Sequence, residues 1–112
     1  MEIRLKPITV NKCWQGRRFK TPEYETWREA FGYLITTDEG YVEEDGELEV
    51  WLKFYLKHYS TTDVDNLVKP TLDALQENGV IENDRFIKRI VAEKFHSKDE
   101  RIEINIIPLN LL

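Results

Sequence analysis

Acidic and basic side chains crowd one short run, STTDVDNLVKPTLDALQENGVIEND, from Ser60 to Asp84. Asp63 and Asp65 stand two apart, Asn66 and Lys69 follow, and Asp84 closes the run after an apolar, helix-like stretch. In an extended backbone, side chains at i and i+2 point to one side, which would bring the Asp63 and Asp65 carboxylates together. Paired carboxylates repel and raise each other's pKa, and a divalent cation removes that conflict. A few carboxylate oxygens completed by water suit Mg2+ or Mn2+. On a helix, Asp65, Lys69 and Asp73 recur every four residues and share one stripe. If the chain returns across the strand ends, Asp84 adds a third acid. Three acids and a lysine can hydrolyse a phosphodiester. The metal neutralises phosphoryl oxygens and activates water, and the ammonium stabilises charge in the transition state.

A plainer reading uses the same residues. Asp63 or Asp65 can cap a helix, Lys69 and Asp73 can form a surface i,i+4 pair, and Asp84 can belong to a turn. The D-x-D pattern alone also occurs in glycosyltransferases and some phosphatases.

The flanking elements must position these groups. EIRLKPITV alternates as a strand, with Ile3, Leu5 and Ile8 inward, and NKCWQGRRFK follows as an aromatic, basic loop with Gly16 supplying a turn. TPEYETWREAFGYLI reads as a helix: Thr21 caps it, Pro22 fits its first position, and Glu23 and Glu25 favour its positive end. Tyr24, Trp27, Phe31 and Leu34 form one apolar face. TTDEGYVEEDG is turn chemistry. ELEVWLKFYLKHY alternates over a long strand, central or nearly so, with Leu48, Val50, Leu52, Phe54 and Leu56 on one face. NLVKPTLDALQENG is a second helix, ending where Gly79 can take the left-handed conformation. Its start is open, because Pro70 is costly in a helix interior and Lys69 is a poor cap; a start near Asn66 with a bent first turn reconciles the two. FIKRIVAEKFH and RIEINIIPLNL read as two further strands, with SKDE as the hairpin turn between them. The order β-α-β-α-β-β predicts a single α/β (α+β) domain over residues 1–112, with a mixed sheet and helices mainly on one face.

Composition agrees with one globular domain. The 112 residues are 41% hydrophobic and include three Trp, five Tyr and five Phe, enough for a core. No apolar run approaches the roughly 18 residues of a membrane span, and the start lacks a signal-peptide core, so a cytoplasmic chain with no membrane partner is expected. The single Cys13 can form no intrachain disulfide, and neither histidine lies near it in sequence to make it a nucleophile. The net charge is −5, but it is unevenly spread: residues 1–28 carry seven Lys/Arg against three acids, and residues 29–49 carry eight acids and no base. The basic start can track phosphates or be an ordinary solvated face.

The run DVDNLVKPTLDALQENGVIENDRFI resembles the signature of the RusA family of Holliday-junction endodeoxyribonucleases: D-x-D-N-x-x-K, an apolar helix with a D-A-L stretch, a Gly, and an Asp before the next strand. Chain length and element order are similar as well. The resemblance implies metal-binding carboxylates at Asp63, Asp65 and Asp84 and an essential lysine at Lys69. It implies a Mg2+ cofactor, with Mn2+ able to substitute, and a homodimer acting on a four-way junction, since two symmetric cuts need two sites. Asn66 would order the motif's turn through its side chain, and Glu82 is a lesser neighbour of Asp84, where relatives often carry two adjacent acids. Phosphate contacts would come from Lys12, Arg17, Arg18 and Lys20, with Lys88 and Arg89 as a second set. Trp14 or Phe19 could wedge at the branch point, though partial core packing explains both. His58 and His96 are assigned no metal role. The acidic balance departs from what a junction binder should have. Two alternatives share these residues: a nuclease of broader branched-DNA specificity, and a catalytically silent DNA-binding module.

Overall fold

The computed structural model describes residues 1–16, 19–35 and 46–109. Its main sheet is built from β1 (Glu2–Ile3), β4 (Leu48–Leu56), β5 (Ile87–His96) and β6 (Arg101–Pro108), in the order β1-β6-β4-β5. Strand β4, Leu48–Leu56, is the organising element, because Leu48, Val50, Leu52, Phe54 and Leu56 all point into the core and are buried. It pairs parallel with β5, Ile87–His96, and antiparallel with β6, Arg101–Pro108. Strand β1, Glu2–Ile3, pairs antiparallel with β6 at the opposite edge.

Helix α1, Pro22–Leu34, begins as its sequence requires. The Thr21 hydroxyl accepts a hydrogen bond from the Tyr24 N–H, and Pro22 opens the first turn. Tyr24, Trp27 and Phe31 are buried, while Leu34 at the end of the stripe is exposed. Helix α2, Asp65–Glu77, crosses from β4 to the parallel β5 and buries Leu67, Leu72, Ala74 and Leu75 in the same core. Its end is a Schellman motif: Val80 N–H bonds the Leu75 carbonyl and Gly79 N–H the Gln76 carbonyl, with Gly79 at φ 72°. Arg28 joins the two helices through its guanidinium–carboxylate pair with Glu77.

Several expectations need correction. The first strand is only two residues long, because Leu5 N–H turns back to the Ile3 carbonyl and leads the chain off the sheet; Ile3 and Ile8 are still buried. The basic loop is structured: a single helical turn, Val10–Lys12, precedes a small hairpin of β2, Trp14–Gln15, and β3, Phe19–Lys20. Residues 97–100 are not a hairpin turn, since β4 lies between β5 and β6; they carry the chain past the end of β4, where Ser97 N–H bonds the Leu56 carbonyl. Helix α2 starts at Asp65 with no side-chain cap, so Pro70 does lie inside it. The acidic turn assigned to TTDEGYVEEDG falls, for residues 36–45, outside the described residues.

Candidate active site

Strand β4 delivers the chain to a one-turn helix at Tyr59–Thr61, and the acidic motif follows. The Thr61 and Thr62 hydroxyls both donate to the His58 carbonyl, at 3.4 and 2.8 Å, folding the segment back on itself. Asp63 then presents its carbonyl to the Asn66 N–H at 3.2 Å, and Val64 its own to Leu67 at 3.1 Å. Val64 has φ −62° and ψ −36°, so the D-V-D step is helical and not extended. Positions i and i+2 diverge in such a turn, and the two carboxylates do not share a side for the reason the sequence suggested. Asp63, but not Asp65, lines a cleft of about 470 Å³ together with Lys6, Lys12, His58 and Asn66. Asp65 opens the α2 stripe that continues to Lys69 and Asp73.

Along that stripe the structure assembles a charge network. Lys69 Nζ lies 2.9 Å from Asp73 Oδ1 and 3.3 Å from Asp84 Oδ2. Asp84 is brought there by the turn Asp84–Phe86, where Asn83 caps Arg85 N–H at 3.0 Å and Asp84 N–H reaches Gln76 Oε1 at 3.3 Å. The hydrogen bond to Asp73, ahead of that to Asp84, raises the Lys69 ammonium above its ordinary pKa, and it stays charged at neutral pH. The return of Asp84 to the lysine was thus foreseeable only as a condition on the fold. Asn66 joins the turn through its main-chain N–H, and the residue also lines the cleft.

The described residues include no group of three or more His, Cys, Asp or Glu side chains close enough to hold a metal ion. The donor chemistry nevertheless fits a hard divalent cation, since Asp63 and Asp65 are exposed carboxylates in no ion pair among the described residues, and Asp84 faces an exchangeable ammonium.

One family described as Endodeoxyribonuclease RusA matches residues 6–107, nearly the whole chain. The chain belongs to the RusA endodeoxyribonuclease family. It is therefore a nuclease, in a family of Holliday-junction-resolving enzymes that are generally divalent-metal dependent. No curated protein matches it. No described helix is long and apolar enough to cross a membrane.

In this RusA-family chain the basic candidates separate. Lys12 is exposed at the end of its helical turn, and Lys20 sits over the Trp14 ring at 5.2 Å. Lys88 and Arg89 are instead paired with Glu47 at 3.4 Å and Glu49 at 3.1 Å. Arg17 and Arg18 lie outside the described residues. Trp14 packs one side against Tyr24 and is 39% exposed, whereas Phe19 on the facing strand is 72% exposed. Sequence reasoning missed one further group: Lys94 reaches from β5 to the loop before Asp63, donating to the Tyr59 and Thr62 carbonyls at 2.7 and 2.8 Å. No sequence signal marks it, since both phases of β5 mix apolar and charged residues.

Proposed function

We propose that the chain, as one RusA-like endonuclease domain over residues 1–112, is a Mg2+-dependent enzyme that resolves four-way DNA junctions by paired symmetric nicks. The observation that carries this reading is the charged Lys69 held beside Asp84, one turn along α2 from Asp65. Asp63, Asp65 and Asp84 are the residues that would hold the cation. When bound, Mg2+ (or Mn2+ in its place) supplies a water of lowered pKa and neutralises phosphoryl oxygens.

Lys69 remains protonated, so its part is electrostatic: an ammonium beside the scissile phosphate stabilises the charge that develops there. Lys12 and Lys20, with Arg17 and Arg18 in the same segment, would position the backbone through phosphate contacts, and Lys88 and Arg89 would contribute only after exchanging their carboxylate partners. Two strands cut in symmetry call for two sites, which a homodimer supplies. A cytoplasmic setting suits a recombination nuclease.

Cleavage of an end-labelled immobile four-way junction tests the reading, with Mg2+ or EDTA and with wild type beside Asp63→Asn. Paired nicks in opposing strands that vanish with EDTA and with the substitution are expected. Equal cutting of forks and flaps would redirect the reading to broader branched-DNA specificity. Junction bound yet uncut in Mg2+ would overturn the enzymatic role of this cluster.

A further inference from the structure

Strand β5 is an edge of the sheet with no fully buried residue, and Lys94 lies on its core-side phase. Ile90, Ala92 and Lys94 stand opposite Val50, Leu52 and Phe54 of β4, all three of which are fully buried on the core side. That phase of β5 is only partly covered, with Ile90 44% exposed and Lys94 half-buried, so the lysine stem can lie along the strand while its ammonium takes polar partners. Lys94 directs its donors to one target. Its ammonium donates to the Tyr59 carbonyl at 2.7 Å and to the Thr62 carbonyl at 2.8 Å, and it lies 4.3 Å from the centre of the Tyr59 ring. These two carbonyls sit at the two ends of the single helical turn that precedes Asp63. The Thr62 carbonyl belongs to the peptide whose nitrogen is that of Asp63, so fixing it fixes the plane from which the Asp63 side chain departs. The remaining bonds in this segment, from Thr61 and Thr62 to the His58 carbonyl, are local and exposed. Among the described residues, Lys94 is the one side chain from elsewhere in the fold that hydrogen-bonds to Tyr59–Thr62, while Glu100 accepts from the Lys57 N–H just before it.

We propose that Lys94 is a positioning residue for the nuclease site: by clamping the Tyr59–Thr62 turn to β5 it sets the direction of the Asp63 carboxylate toward a divalent cation. This rests on the reading of Asp63 as a metal ligand. The clamp ties the strand-to-helix connection to β5, so the cation does not have to order the loop as it binds. Losing an outer group that orients a ligand commonly weakens metal binding by about 10- to 100-fold.

The test compares wild type, Lys94→Met, Lys94→Arg and Asp63→Asn. Mn2+ binding to the DNA-free protein is titrated by electron paramagnetic resonance, and the Mg2+ midpoint of junction cleavage is measured beside the melting temperature. For Lys94→Met we expect Mn2+ binding weaker by about tenfold or more. Its Mg2+ midpoint should rise in parallel, with activity recovered at saturating metal. Lys94→Arg, which keeps two donors, should stay near wild type. If Lys94→Met does not fold, Lys94→Gln, which removes the charge and shortens the stem by one carbon while keeping an amide NH2, carries the same comparison. Unchanged Mn2+ binding in the folded Lys94 variant, where Asp63→Asn has lost it, overturns the positioning role and leaves the metal site standing. Unchanged Mn2+ binding in Asp63→Asn overturns the metal-ligand reading itself, and the clamp's proposed purpose with it.

Discussion

Lys69 and Asp84 are fifteen residues apart in sequence, yet the ammonium of one lies 3.3 Å from the carboxylate of the other. The contact ties the first half of α2 to the turn that enters β5. It spans the remaining turns of α2, and it keeps a positive charge beside an acid that a cation would also seek.

Replacing Lys69 with Met should therefore separate binding from chemistry. Single-turnover cleavage of a junction is expected to fall about 10²- to 10³-fold, the scale for removing one donor to transition-state charge. Junction affinity by gel shift should change little. A comparable loss in both measurements would move Lys69 from the reacting phosphate to general DNA contact.

Asp73 is the larger cause of the raised Lys69 pKa. Asp73→Asn lowers that pKa, so the ammonium is lost at a lower pH. The alkaline limb of the cleavage profile should shift toward neutrality, while the rate at neutral pH, where Lys69 is still charged, changes little. The pair's contribution to folding is present below the lysine's ordinary value and is lost as pH rises through the raised one. Melting of the two proteins should thus converge at high pH. An alkaline limb that does not move would mean some other group sets it.

The small hairpin separates two aromatics that look alike in sequence. Trp14 rests on Tyr24 with ring centres 6.0 Å apart, and Phe19 is left 72% exposed. Phe19→Ala should leave the melting temperature nearly unchanged yet weaken junction binding, by about 1 kcal/mol or more if a base stacks on the ring. Trp14→Ala should cost stability instead. Binding that ignores Phe19 would remove the hairpin tip from the DNA surface.

Much of this fold is written locally. Thr21 and Pro22 announce α1, Gly79 ends α2, and the alternation from Leu48 to Leu56 identifies the central strand, because each signal arises from a residue's own backbone preference or its exposure. One partner of Lys69 could be named for the same reason, since Asp73 lies one helical turn away. What the sequence could not show depends on meetings between distant segments. The placement of β5 and β6 on opposite sides of β4 is one such meeting, and Lys94 reaching the Asp63 loop is another. The geometry of D-V-D failed for a local reason, since Val64 takes a helical conformation that an alternating acid pattern does not reveal.

The strand order also dictates how the domain can come into being. Glu2 faces Glu103 across the β1–β6 ladder, and Val50 faces Ile106 across β4–β6, so most of the sheet is closed by partners many tens of residues apart. Helix α2 can begin to form from neighbours, but the surface that holds it must wait for long loops to close, and such topologies fold slowly for their size. Cutting capacity and a finished sheet thus arrive together: a half-folded chain carries the acids of the motif without the strand that steadies them.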